Sequence, residues 1–188
     1  KKVYKTKSLI DEKEFIKQLL SPETQNIAFQ KLLSDYQKPL YSHIRNIVLN
    51  HDDADDVLQN TFVKVFQNLK NFKGESKLFS WMYRIATNEA LTFLSQKAKL
   101  SGISSEDLQN KTIDNLKADL YFDGDDIQIK LQKAIVTLPE KQQLVFKMKY
   151  FEELKYEEIA DILGTSVGAL KASYHHAVKK IELYVTSN

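Results

Sequence analysis

The stretch YEEIADILGTSVGALKASYHHAVKKI, Tyr156 to Ile181, constrains the fold more than any other, because two short amphipathic segments flank Gly164 with room only for a tight turn. Ile159 and Leu163 recur at helical spacing, and Ala160 is small enough to let a second helix cross closely. Gly164 can adopt the left-handed conformation that ends a helix, and Ser166 can cap the next one. Val167, Leu170, Tyr174, Ala177 and Ile181 then form an inward stripe. Gly168, Ala169, Lys171, Ala172, His175, His176 and Lys179 face out, small near the start and donor-rich later, as in a helix that enters a major groove. The plainer alternative is a helical hairpin within a core.

The remaining sequence must say which. With 188 residues the chain has room for one domain or two small ones. Only 5 glycines and 3 prolines, and no alternating β-pattern, favour an all-α protein. The absence of cysteine excludes disulfide and thiol chemistry and fits a reducing cytoplasm. No apolar run approaches the roughly 20 residues of a membrane span, and no signal-peptide pattern precedes the first helix, so a cytoplasmic protein is expected. Charge divides the chain into zones. Lys64, Lys70, Lys73, Lys77, Arg84, Lys97 and Lys99 meet only Glu75 and Glu89, whereas Glu106, Asp107, Asp114, Asp119, Asp123, Asp125 and Asp126 outweigh Lys111 and Lys117. With little apolar periodicity and several Ser, Gly and Asn residues, 101–126 is expected to be an acidic linker between two helical domains, 23–100 and 127–188. A long surface loop is the alternative.

In the first domain, apolar stretches on either side of Pro39 predict two helices, since proline can open a helix but not lie unbent inside one. Asp52 or Asp53 is expected to cap the next, along which Ala54, Leu58, Phe62, Val65 and Leu69 form one face. Phe72 to Ser76 break the pattern. A further helix follows, with Leu78, Met82, Ile85, Ala86 and Phe93 inward and Trp81, Arg84 and Asn88 on the other side, Tyr83 nearby. Residues 1–22 form a Lys-rich extension with a short amphipathic run at Phe15, Leu19 and Leu20.

Two clusters suggest chemistry. Asp52, Asp53, Asp55 and Asp56 mimic the acidic signature of magnesium-dependent prenyl-transfer enzymes, but nothing comparable recurs on another helix to hold the second metal ligand set. A solvated helix start that suits the helix dipole, or a docking surface for a basic partner, explains them more simply. The second cluster, FKGESKLFSWMYRIATNEAL from Phe72 to Leu91, sets aromatics beside cations, an amide and a glycine loop. Single-stranded nucleic-acid binding uses such groups: rings stack on bases and cations meet phosphates.

Together these segments resemble bacterial sigma factors of the extracytoplasmic-function group. Phe72–Lys73–Gly74–Glu75–Ser76 followed by Trp81 to Asn88 is similar to the family's promoter-melting segment, and Asp55 to Phe62 to its polymerase-binding helix. Leu138–Pro139–Glu140, Val145–Phe146 and Tyr156 to Ala160 resemble the opening of its C-terminal domain. The resemblance implies that Asp55, Asp56, Gln59 and Asn60 grip core RNA polymerase. It implies that Phe72, Lys73, Gly74, Glu75, Ser76 and Lys77 form the loop that captures a base flipped from the −10 element of promoter DNA, with Trp81, Tyr83, Arg84 and Asn88 beside the opened strand. Ser166, Gly168, Ala169, Lys171, Ala172, His175, His176 and Lys179 would read the −35 element as duplex. Neither catalytic residues nor a metal, cofactor or small-molecule substrate is implied. An anti-sigma factor, often membrane-anchored in relatives, is the implied regulatory partner. The chain departs from the family pattern in carrying Ser173 and His176 where arginine is frequent, so phosphate positioning and shape readout are expected to matter more than guanine contacts at the −35 element. A stand-alone helix-turn-helix regulator is the competing reading.

Overall fold

The computed structural model describes residues 9–116 and 124–187; Asp119 and Asp123 of the acidic segment lie outside the described residues. Every regular element among them is helical: α1 (Leu9–Leu20), α2 (Gln25–Val48), α3 (His51–Asn68), α4 (Leu78–Leu100), α5 (Ser105–Asp114), α6 (Asp126–Val136), α7 (Glu140–Tyr150), α8 (Tyr156–Leu163) and α9 (Val167–Ser187), with a 3-10 turn at Leu69–Asn71. The all-α expectation holds.

Helices α2, α3 and α4 pack on one another, and α1 lies against α2. The face read from the sequence on α3 is buried, together with Val57. The break expected at Pro39 is absent: α2 runs through it as one helix of 24 residues. An internal proline costs roughly 3 kcal/mol. Downstream, Leu40, Ile44, Ile47 and Val48 are all buried on the face that α2 turns inward, and each buried aliphatic contributes about 1.5–3 kcal/mol. Continuity wins. The cap of α3 is also corrected. Asn50 accepts the Asp53 N–H at 2.9 Å, so Asp52 and Asp53 lie inside the first turn, where their charge suits the dipole.

The first half of the segment expected to be an acidic linker is helical. Ser104 caps α5 by accepting the Asp107 N–H at 3.0 Å. Leu108 is buried in the main core, while Ile113 and Leu116 pack with Leu49 and Val136. Leu49 ends α2 with φ 65, unusual for a residue with a side chain. Its burial in that small cluster offsets the strain.

In the C-terminal unit Asp125 caps α6 through Gln128 N at 2.9 Å. Gln143 Nε2 donates to the carbonyls of Val136 and Leu138 at 3.2 and 2.9 Å, fastening the turn before α7. Lys155 N donates to Glu158 at the start of α8. Gly164 takes φ 64 with its N–H on Ala160 O at 2.8 Å, and Ser166 accepts from Ala169 N at 3.2 Å. Both punctuation marks behave as their residue types dictate. The two units share a core, since α8 packs on α4 and α7 on α2, with Val145, Met148, Ile159 and Ile162 in the same buried cluster as the first bundle.

Candidate nucleic-acid interface

Residues at helical spacing on α3 and α4 form the walls of one cleft. Lys64, Asn68 and Asn71 face Trp81, Ile85, Asn88 and Glu89 across about 320 Å³. Lys64 Nζ pairs with Glu89 at 2.5 Å, which ties the two ridges together, and within α3 Asn68 Nδ2 donates to Lys64 O at 2.8 Å. Trp81 supplies a half-buried aromatic face, and the Asn side chains supply donors and acceptors. The cleft therefore offers what a splayed base needs, a stacking surface beside hydrogen-bonding edges. Lys64, Asn68, Asn71 and Glu89 were not among the site residues expected from sequence. The spacing of Lys64 and Asn68 along α3 was visible, but the second wall was needed to give it meaning.

The neighbouring loop carries Lys73, Gly74 and Glu75 exposed, with Ser76 and Lys77 half-buried. Gly74 turns at φ 72, where a side chain would be strained. Two aromatics do not sit as expected. Phe72 is 8% exposed and packs on Trp81 with ring centroids 4.9 Å apart, so it supports the cleft instead of presenting a free ring. Tyr83 is 3% exposed, held between His43 at 4.7 Å and Phe79 at 4.1 Å. Arg84 is exposed, yet its Nε donates to Ile162 O at 3.3 Å and its Nη2 to Asp161 O. A guanidinium at the end of α8 is stabilised by the carbonyl end of the helix dipole. Asn88 alone of Tyr83, Arg84 and Asn88 points into the cleft.

Behind this face a buried polar relay joins the two units. His43 Nδ1 meets both oxygens of Glu152, from the α7–α8 loop, at 2.9 and 3.1 Å, and Nε2 lies 2.8 Å from the Thr87 hydroxyl. Thr87 itself donates to Tyr83 O at 2.7 Å. Lys147 is buried nearby; burial pushes its ammonium down to about 8, against the opposing pull of Glu152.

The expected duplex-reading helix is α9. Ser166, Gly168, Ala169, Lys171, Ala172, His175, His176 and Lys179 are all exposed, while Leu170, Ala177 and Ile181 are buried. Lys171 lies over the Tyr156 ring at 5.9 Å and Lys149 at 4.9 Å, so a basic ridge runs beside the helix.

On α3, Asp56, Gln59 and Asn60 are exposed, and Asp55 is half-buried with an oxygen 3.5 Å from His51 Nε2. Asp53 is held by Lys97 at 2.6 Å, so the acidic start is not one uniform surface for metal ions. The exposed stripe continues along the helix into Val63 and Phe66, 54% and 45% exposed, an apolar extension not foreseen from the acidic motif.

Residues 32–100 match the family model for sigma-70 region 2, and residues 128–181 that for sigma-70 region 4. The chain belongs to the sigma-70 family. It is 29% identical over 163 residues to the RNA polymerase sigma-H factor of Pseudomonas aeruginosa, covering 82% of this chain and 84% of that one. It is 27% identical over 154 residues to sigma factor SigV of Bacillus subtilis, covering 82% and 89%. Its fold is shared with CnrH, solved in complex with the cytosolic domain of CnrY, at TM-score 0.67 and 18% identity over 94% of this chain and 98% of that one. With 28% identity over 163 residues to the ECF RNA polymerase sigma-E factor of Haemophilus influenzae, covering 82% and 86%, the sequence likenesses place the chain among sigma factors of the extracytoplasmic-function group. In this sigma factor the cleft and its loop fall within region 2, and α8 and α9 as far as Ile181 within region 4; α1 precedes the region 2 match.

Proposed function

We propose that this chain directs core RNA polymerase to promoters, with the exposed stripe of α3 on the polymerase, the α3–α4 cleft on the opened −10 strand and α9 on the −35 duplex. The observation that carries it is the coexistence of an aromatic-floored, amide-lined cleft with a separate exposed helix whose outward residues are small or donors. Stacking on Trp81 contributes about 1–3 kcal/mol per base, comparable to the few kcal/mol that unstacking costs. Asn68, Asn71 and Asn88 read base edges; Lys73 and Lys77 meet phosphates. Strand opening is driven by this binding energy and asks for no catalytic group. The work takes place beside the polymerase, in the cytoplasm.

The two elements are about 25 base pairs apart, roughly 85 Å at 3.4 Å per pair. With α8 packed directly on α4, the two DNA-facing units touch instead of standing that far apart. The contacts of Arg84 and His43 with the C-terminal unit therefore break before both elements are held. An anti-sigma factor is the partner that would oppose that opening, as the family resemblance implies.

Run-off transcription with core polymerase tests the reading: a promoter-specific transcript is expected only when this chain is added. A stand-alone regulator would instead bind its operator tightly without polymerase, and it leaves the cleft and the region 2 match without a role.

A further inference from the structure

The loop that meets the −10 strand is held differently at its two ends. At Phe72 the backbone N–H bonds to Leu69 O at 3.1 Å and the ring packs on Trp81. At the other end α4 begins with Lys77 in the cap position, extended at φ −61 and ψ 145, and no side-chain cap bond. A lysine ammonium has no lone pair to offer a backbone amide. The first turn of α4 also lacks any acidic residue, so the positive end of a helix of 23 residues faces a cation and nothing of its own that compensates.

The acceptor comes from elsewhere. Glu12 Oε1, on α1, takes the Leu78 N–H at 2.9 Å across 66 residues of sequence. Burial, then the charges of Glu12 and Asp35, push the Tyr36 hydroxyl up to about 12, so Glu12 lies near Tyr36 of α2. Helix α1 is fixed there. Leu19 is buried, Phe15 and Ile16 pack on the core, and Thr24 and Gln25 side chains donate to Gln18 O at 2.8 Å and Leu19 O at 3.0 Å. By contrast α3, α5, α6 and α9 are capped by the adjacent side chains of Asn50, Ser104, Asp125 and Ser166. Helices α2, α7 and α8 also lack such a cap bond, but the first turn of α4 takes its acceptor from a different helix, and its cap position is the last residue of the strand-binding loop. A cation there can meet phosphate, whereas an Asp cap would repel it.

We propose that Glu12 is a positioning residue for −10 strand recognition: by holding the Leu78 amide from behind, it fixes the exit of the Phe72–Lys77 loop and the start of the helix that carries Trp81, leaving Lys77 free for DNA. This rests on the promoter reading above.

The test uses the full chain with core polymerase, as wild type, Glu12→Ala, Glu12→Gln, and Glu14→Ala as a control on the exposed side of α1. Affinity is measured for labelled single-stranded non-template DNA from a promoter the chain transcribes, beside affinity for core polymerase. Trp81, the only tryptophan, reports the cleft by its emission without any DNA. Caps of this kind correspond to about a two- to thirty-fold change in an equilibrium. Glu12→Ala is expected to weaken strand binding within that range, leave core affinity unchanged, and shift Trp81 emission to the red. Glu12→Gln keeps the acceptor oxygen and is expected to restore most of the strand affinity. The proposal is overturned if Glu12→Ala binds the strand as wild type does, if strand and core affinity fall together, or if Glu12→Gln is no better than Glu12→Ala. Should wild type bind no promoter strand at all, the promoter reading falls; the bracing of α4 is then decided by Trp81 emission, and an unchanged spectrum in Glu12→Ala overturns it.

Discussion

Glu152→Ala is expected to open the two units while leaving each folded. The Glu152 carboxylate lies 2.9 and 3.1 Å from His43 Nδ1 and is the charge that opposes the desolvation of Lys147. One acid thus serves a base from each side of the contact. His43 is 1% exposed and Lys147 2%, so neither regains water while the units stay packed. Breaking a buried ionic group by removing one member costs about 3–5 kcal/mol. Parting the units returns His43 to water, so the cost falls mainly on the packed arrangement. At 1.4 kcal/mol per factor of ten, the packed-to-open equilibrium moves by roughly two to three and a half powers of ten. Energy transfer between dyes on Gln67→Cys and Lys180→Cys reads it directly: both positions are exposed, and the chain has no cysteine of its own. Glu157→Ala, an exposed acid on α8, serves as control. Transfer that stays at the wild-type level in Glu152→Ala, with native helical circular dichroism, would refute the reasoning, because the relay would then not be what holds the units together.

Other expectations are narrower. Lys147, pushed down to about 8 in the folded chain and near 10.5 unfolded, makes the unfolded state bind the extra proton between those values, so stability is expected to rise as pH goes from 8 to 10. Lys147→Met is expected to be the more stable protein at pH 7, and urea melts across this range should show its pH slope flattened. Trp81→Ala is expected to lose about 1–3 kcal/mol of −10 strand affinity, read by fluorescence anisotropy on labelled strand, with core affinity unchanged. Lys171→Ala is expected to weaken −35 duplex binding across sequences alike and to reduce the slope of log affinity against log salt by about 1; a loss confined to one base position would contradict a phosphate-positioning role.

The helix-turn-helix was legible because its signals are local. Gly164 ends α8 and Ser166 caps α9 by contacts within a few residues, and the stripe from Val167 to Ile181 follows one period. What failed depended on distant partners. Pro39 stays inside α2 because of what Leu40 and Ile44 bury against, which no window around the proline contains. The acidic segment folds into α5 because Ile113 finds Leu49 and Val136. Isolated from them, its composition reads as a tether.

The candidate site divides along the same line, and the division carries a physical point. Residue type alone pointed to nucleic-acid chemistry in the aromatics, cations and amides from Phe72 to Asn88. It could not distinguish a ring that meets a base from one that supports the ring that does. Phe72 and Trp81 alternate with neighbours in the same pattern, yet Phe72 is buried under the indole. Nor could it show that a cation suited to phosphate is occupied by carbonyls, as Arg84 is at the end of α8. A carbonyl end of a helix and a phosphate make the same demand on a guanidinium, namely negative charge with acceptor oxygens at hydrogen-bonding distance. The surface that suits DNA is for that reason also a surface that another part of the chain can cover. On the promoter reading proposed above, exchange of one acceptor for the other at Arg84 would make packing of the two units and promoter binding mutually exclusive.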